Sequence, residues 1–208
     1  MMPEPRIDKI STHSFILPGF ARAEDEALMT AIKQITAEAP LRQMSTPRGF
    51  KMAAQLSNCG DYGWVTDRQG YRYQQTDPDS GEPWPEMPAL FQALAVRAAA
   101  SCGFDDFAPD VCLINCYQPR AGMGLHQDKD ERDFSAPIVS VSLGVPAIFL
   151  FGGLQRRDKP EHYLLQHGDV VVWGGDDRLR FHGIQAIKLS HHPLTGQYRY
   201  NLTFRRAF

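Results

Sequence analysis

No stretch of this 208-residue chain is apolar for long enough to span a bilayer or to act as the hydrophobic core of a secretory signal. The sequence is therefore read as cytoplasmic, with no membrane partner. Its four cysteines, Cys59, Cys102, Cys112 and Cys116, include no C-x-x-C pair. With no secretory context, that argues against a disulfide framework and for reduced thiols. Excess charge is also missing: the formal net charge is −2, without the overall basic character of many nucleic-acid binders. Internal repeats, low-complexity tracts and an obvious linker are absent too, so the length fits one domain able to bury a sizeable core.

The positive charge that is present is unevenly placed. From Arg42 to Tyr73 there are Arg42, Arg48, Lys51, Arg68 and Arg72 against Asp61 and Asp67, a locally basic stretch of the kind phosphate contacts need. The expected layout is a single domain, with an N-terminal extension and helix over 1–40, a turn-rich aromatic segment over 41–85 and a β-rich core over 107–206.

Hydrophobic periodicity predicts a helix over 24–39, with Leu28, Ala31, Ile32, Ile35 and Ala39 on one face, acidic residues at its N-terminus and Pro40 ending it. A second helix opens at Pro88 and runs through Leu90, Phe91, Leu94, Ala95 and Ala98, with Gly103 as the residue past its end. From Phe107 the pattern becomes short Val-, Ile- and Phe-rich runs punctuated by Gly or Pro, at 111–117, 137–143, 147–151, 162–166, 169–173 and 197–205. Closely spaced short strands indicate a jelly roll of the cupin type, giving an α+β, mainly β fold with the helices packed on it.

Within that core, His126-Gln127-Asp128 puts an imidazole and a carboxylate two residues apart, on one face of an extended segment. His182 lies beyond the Gly174-Gly175 turn that follows strand 169–173. Two histidines and one carboxylate make the facial triad of non-haem Fe(II) oxygenases, which leaves coordination positions open. Alone, a His-x-Asp pair is weak evidence. His13, His162, His167, His191 and His192 lie in tails, loops or strand flanks and are not expected to bind metal.

Residues 199–205, Arg-Tyr-Asn-Leu-Thr-Phe-Arg, alternate, with Tyr200, Leu202 and Phe204 on one face and Arg199, Asn201, Thr203 and Arg205 on the other. If the polar face turns inward, it must bind something anionic. The two arginine Cα atoms are roughly 20 Å apart at about 3.3 Å per residue, and side chains leaning inward leave room for a short diacid. Guanidinium forks match carboxylates bidentately, so a dicarboxylate such as 2-oxoglutarate fits. Asn115 and Tyr117 share a face on strand 111–117 and could donate to the same ligand.

Taken together, Asn115-Cys116-Tyr117, His126 to Glu131, His167 to Gly175, His182-Gly183-Ile184 and Arg199 to Arg205 resemble the AlkB family of nucleic-acid dealkylases, in order and in spacing, over roughly residues 40–206. The resemblance implies a double-stranded β-helix core and Fe(II) held by His126, Asp128 and His182. It also implies 2-oxoglutarate contacting Asn115, Tyr117, Arg199, Asn201 and Arg205, with O2 as the other cosubstrate. The implied reaction is oxidative removal of N-alkyl groups from bases such as 1-methyladenine and 3-methylcytosine, releasing succinate, CO2 and formaldehyde. Single-stranded DNA is the implied partner, double-stranded DNA and RNA being further candidates, and a monomer is expected.

The resemblance extends to Gly63-Trp64 and Arg68 to Tyr73, which in the family form a lid that recognises the nucleotide, so the 41–85 segment is expected to be that lid. By that likeness Trp64 stacks on a flipped base, Tyr71 contacts the lesion strand, Asp130 meets the polar edge of the base and Arg156 lines the base pocket. Structural alternatives are a core tryptophan for Trp64 and surface charges for Asp130 and Arg156. The chain departs from the family pattern at Cys116, at Phe50 and at Arg180-Phe181, which replaces an aromatic pair. Two competing readings are an Fe(II)/2-oxoglutarate hydroxylase of a metabolite or protein side chain, and a non-catalytic cupin-like or structural zinc protein. A closed zinc site usually takes four protein ligands and only three converge here, which disfavours the latter.

Overall fold

Two helices cover one face of the principal sheet, and their sequence shows why. In a computed structural model, which describes residues 5–208, the strands and helices run in the order β1 (Asp8–Ser11), β2 (Ser14–Leu17), α1 (Asp25–Glu38), β3 (Gln55–Gly60), β4 (Gly63–Asp67), β5 (Gly70–Gln74), α2 (Ala89–Ser101), β6 (Val111–Tyr117), β7 (Met123–His126), β8 (Ile138–Gly144), β9 (Ala147–Phe151), β10 (Glu161–Leu165), β11 (Val170–Trp173), β12 (His182–Ile184) and β13 (Arg199–Arg205). Helix α1 buries Leu28, Met29, Ala31, Ile32 and Ile35 and ends at Ala39, held in extended geometry by the following Pro40. Helix α2 starts after Pro88 and closes with Gly103 at φ +85. There the Gly103 amide donates to the Ala100 carbonyl and the Phe104 amide to the Ala99 carbonyl, the paired bonds of a Schellman stop.

The principal sheet has seven strands in the order β1-β2-β11-β8-β13-β6-β3, and a second sheet has four, β10-β9-β12-β7. The outward side chains of the seven-stranded sheet, among them Cys112, Ile114, Val139, Val141, Leu143, Val170, Val172, Leu202 and Phe204, form one apolar core with both helices. The opposite face carries Asn115, Tyr117, Ser140, Ser142, Asn201 and Thr203, polar side chains that are nonetheless buried. Strand alternation thus sorts apolar groups toward the helices and polar groups toward the interior of the jelly roll. The fold is mainly β, as the spacing of short strands predicts.

The sheet reaches beyond 107–206. Strands β1 and β2 add an edge, so the N-terminal segment is more than an extension; residues 1–4 lie outside the described residues. Strand β3, inside the segment expected to form the lid, pairs along its length with β6, for example Leu56 with Asn115 and Cys59 with Cys112. Strands β4 and β5 make a separate two-stranded hairpin. Among the described residues, no helix is long and apolar enough to cross a membrane, and all four cysteines are free thiols.

Candidate active site

Strand pairing brings the two histidines together across 56 positions of sequence. His182 on β12 is the direct antiparallel partner of His126 on β7, and Asp128 follows β7 by two residues. Asp128 Oδ1 lies 3.5 Å from His126 Nε2, and its Oδ2 lies 3.7 Å from His182 Nε2. One ligand atom from each of the three residues falls within 4.8 Å of the others, and no other such group of His, Cys, Asp or Glu occurs among the described residues.

The protonation pattern is fixed by neighbours. His126 Nδ1 faces the Gly124 carbonyl at 2.9 Å and His182 Nδ1 faces the Arg180 carbonyl at 3.0 Å. A carbonyl only accepts, so each Nδ1 carries the proton and each Nε2 presents its lone pair to the triad centre. Burial, and then the neighbouring His182, pull His126 down to about 4, which keeps its imidazole in the neutral form that binds metal. Burial alone would raise Asp128, but Arg205 and His182 hold it well below the usual carboxylate range. Arg205 Nε and Nη2 donate to Asp128 Oδ2 at 2.9 and 2.6 Å.

The fit to a dicarboxylate rests on unpartnered donors. Arg199 is 1% exposed; its Nη2 donates to Ser142 Oγ, while Nε and Nη1 have no partner. Its guanidinium makes no ion pair among the described residues and lies over the Tyr117 ring at 5.6 Å. Burial lowers the Arg199 pKa and pushes the Tyr117 phenol up to about 12, so the phenol keeps its proton. Arg205 Nη1 is likewise a buried donor without a partner, and the Asn115 amide leaves its acceptor Oδ1 buried and unpartnered. A buried cation with two idle donors is costly unless an anion completes it. Asn201 is different, since its amide is engaged by Ser140, Val141 and Thr203, so it braces the wall between the arginines.

A cavity of about 460 Å³ opens over the triad, and its lining includes Asn115, Tyr117, Asn201, Arg205, Trp64, Tyr71, Asp130 and Arg156. The β4–β5 hairpin forms one side of its mouth. Trp64 is half-buried and donates its indole N–H to Asp130 Oδ2 at 2.8 Å. Tyr71 stacks on Trp64 with ring centroids 5.7 Å apart and planes 19° apart, and is 49% exposed. Trp64 is therefore a cavity residue with a polar tether, although one edge touches the core. Arg156 is exposed, with its guanidinium 5.9 Å from the Phe181 ring centroid.

Two of the five basic residues in the 42–73 stretch are spent internally. Arg72 is bonded to both carboxylate oxygens of Asp67 and to Gln74, all within the hairpin. Arg42 pairs with Asp77 and Asp79. Arg48, Lys51 and Arg68 remain exposed without an ion pair among the described residues. Of the other histidines, His167 accepts from the Gly144 amide at Nδ1 and meets Asp25 Oδ2 through Nε2, outside the triad.

Sequence reading missed a buried charge network behind Asp128. Arg178 donates to the Asp128 and Ala136 carbonyls and lies 3.3 Å from Glu131. Glu131 also lies 3.3 Å from Arg205 and accepts from the Tyr73 hydroxyl of the hairpin at 2.8 Å. No periodicity marks these residues, because charged side chains in a loop carry no burial signal of their own.

A jelly roll with an open His-Asp-His triad and two buried arginines on its inner wall defines an Fe(II)/2-oxoglutarate-dependent dioxygenase. The family profile described as the 2OG-Fe(II) oxygenase superfamily matches residues 14–205. The chain is 53% identical to the alpha-ketoglutarate-dependent dioxygenase AlkB of Escherichia coli over 204 residues, which cover 98% of this chain and 94% of that protein. It is 40% identical over 183 residues to the AlkB homolog of Caulobacter vibrioides, covering 87% of this chain and 81% of the homolog. The solved structure of OsALKBH1 superposes with a TM-score of 0.84 at 30% identity, over 97% of this chain and 100% of that one. The chain belongs to the AlkB family of Fe(II)- and 2-oxoglutarate-dependent dioxygenases, enzymes of oxidative nucleic-acid dealkylation.

Proposed function

We propose that this enzyme demethylates N-alkylated bases such as 1-methyladenine and 3-methylcytosine in single-stranded DNA, reading the base with Trp64, Tyr71, Asp130 and Arg156. The observation that carries this is the shared cavity: a stacked aromatic pair on a hairpin, Trp64 half-buried and Tyr71 exposed, faces the same space as the triad. A small metabolite has no need for that aromatic mouth, whereas a base taken out of its stack needs a π-face and a polar edge contact. Double-stranded DNA and RNA remain candidate partners of the same pocket, the protein acting as a monomer in the cytoplasm.

His126, Asp128 and His182 would hold Fe(II), and Arg199, Arg205, Asn115 and Tyr117, with Asn201 on the cavity wall, would hold 2-oxoglutarate. When bound, the pair supplies the oxidation of an N-alkyl C–H to C–OH, with O2 consumed and the cosubstrate released as succinate and CO2. The product of that oxidation is a hemiaminal; breaking its C–N bond frees formaldehyde and returns the base. The chain's own work is positional. Arg199 and Arg205, both buried, would neutralise the dicarboxylate, and Arg205 at the same time fixes the Asp128 carboxylate. Asp130 anchors the Trp64 ring plane through one oxygen and leaves the other free for an exocyclic amino group.

Trp64→Ala tests the lid. Base-aromatic stacking contributes about 1–3 kcal/mol per base, so kcat/KM on a methylated single-stranded oligonucleotide should fall tenfold or more. Succinate formed without oligonucleotide should stay near the wild-type rate, because Trp64 supplies neither a metal ligand nor a cosubstrate contact in this assignment. Equal oligonucleotide turnover by both proteins would remove Trp64 from substrate recognition.

The ion pairs add a discriminating result. Arg68→Gln should flatten the salt dependence of oligonucleotide binding, as loss of a phosphate contact does. Arg72→Gln should not, because that guanidinium is already committed to Asp67. Binding isotherms across a salt series read the two slopes. Identical slopes for wild type and Arg68→Gln would take Arg68 off the phosphate backbone.

A further inference from the structure

Arg180 departs from the family pattern, and its side chain does something that no aromatic residue could do. Its Nε donates to the Gly152 carbonyl at 2.8 Å. Its Nη1 reaches Asp177 Oδ1 at 3.2 Å and the Ser11 hydroxyl. The guanidinium also lies 5.0 Å from the ring centroid of Phe151, the cross-strand partner of His182. One side chain therefore ties β1, the turn at 177–180 and the end of β9 together.

Asp177 is anchored in turn. It accepts from the His13 amide at 2.7 Å, from Ser14 Oγ at 2.8 Å and from Ser11 Oγ at 3.1 Å, all in the β1–β2 hairpin. The segment held in this way serves the triad at three successive residues. Arg178 donates to the Asp128 carbonyl at 2.8 Å, the Leu179 carbonyl accepts from Gln127 Nε2 at 2.6 Å, and the Arg180 carbonyl accepts His182 Nδ1–H at 3.0 Å. The last of these bonds dictates which nitrogen of His182 faces the metal position.

We propose that Arg180 is a positioning residue for the metal centre. By clamping the 177–180 turn onto the N-terminal hairpin and Gly152, it keeps the Arg180 carbonyl where it holds His182 with Nε2 directed at the triad. Without the clamp the front of the turn keeps the Asp177 bonds to the hairpin and the Arg178 bonds to the Asp128 and Ala136 carbonyls, but residue 180, whose carbonyl is the His182 acceptor, loses its side-chain ties to β1 and Gly152, and the imidazole loses its firmly held acceptor. Metal affinity then falls even though all three ligands are present. This rests on His126, Asp128 and His182 being the metal site.

The test uses Co(II) alone as the probe, with the full-length protein, and reads both its dissociation constant and its ligand-field absorption. Loss of an outer hydrogen-bonding partner typically lowers metal affinity 10–100-fold. Arg180→Met should weaken Co(II) binding by that factor and alter the absorption bands. Arg180→Lys should fall between, since an ammonium keeps a positive charge facing Asp177 but cannot fork to Gly152 as well. A purely structural staple would lower the thermal midpoint of the metal-free protein and leave Co(II) affinity and spectrum unchanged, and that result overturns the proposal. Should Arg180→Met fail to fold, Asp177→Asn removes the same ion pair with its shape retained; weaker Co(II) binding supports the clamp, and unchanged binding overturns it. Failure of the wild-type protein to bind Co(II) would overturn the site assignment itself, so the two failures are distinguishable.

Discussion

Asp128→Asn is expected to abolish turnover while leaving the fold in place. The asparagine keeps the shape of the side chain and one oxygen that Arg205 can reach, but it removes the one anionic ligand of the triad. Alanine is the harsher change: it strips Arg205 of both its hydrogen bonds to Asp128 Oδ2, leaving Glu131 at 3.3 Å as its carboxylate partner. Breaking a buried pair costs about 3–5 kcal/mol when one charge is left uncompensated; with Glu131 still beside Arg205 the loss should be less than that, so Asp128→Ala should lose activity and some stability together. His126→Ala and His182→Ala should also be inactive, with little effect on the fold. Near-wild-type turnover by Asp128→Asn with iron bound would show that the ligand assignment is wrong.

The second large effect is expected at Arg199. Its guanidinium is buried, unpaired and short of two partners, so it is the group in the interior with most to gain from a carboxylate. Arg199→Lys keeps the charge but loses the fork and the stacking over Tyr117. Hydrogen bonds to charged groups contribute about 1.5–3 kcal/mol, which corresponds to roughly 10- to 150-fold weaker binding at about 1.4 kcal/mol per tenfold. Titration of 2-oxoglutarate by calorimetry, with Mn(II) in place of iron, measures this directly. Unchanged affinity would take Arg199 out of the cosubstrate site. Arg205→Lys should be more complex, because Arg205 orients Asp128 as well, and both metal and cosubstrate affinity should drop.

Much of this was legible in the sequence because alternation and spacing are local signals. The polar face of β13, the apolar stripes of α1 and α2, and the Gly103 stop all follow from period and turn chemistry, and the structure agrees to within a residue or two. The triad was legible through motif order and resemblance, since β7 and β12 are four and three residues long and carry glycines, too short to announce themselves as strands. Strand β3 escaped because Gln55 to Gly60 has small and polar residues whose burial comes from pairing with β6, a contact across more than fifty residues. Charge partners were illegible for the same reason. Nothing near Arg72 in composition separates a phosphate contact from the Asp67 pair, and nothing near Glu131 shows that two arginines and a tyrosine surround it. Those partners are chosen by tertiary structure.

The central claim is that this fold oxidises an alkyl group on a base. The most direct measurement incubates anaerobically purified protein with Fe(II), 2-oxoglutarate and a single-stranded oligonucleotide carrying one 1-methyladenine, admits O2, and follows the oligonucleotide by mass spectrometry alongside succinate and formaldehyde. The account predicts loss of one methyl mass from the oligonucleotide with one formaldehyde and at least one succinate per event, and none of these changes in Asp128→Asn. Succinate formation with the oligonucleotide mass unchanged would contradict it, and would point to an oxygenase that works on something other than a base.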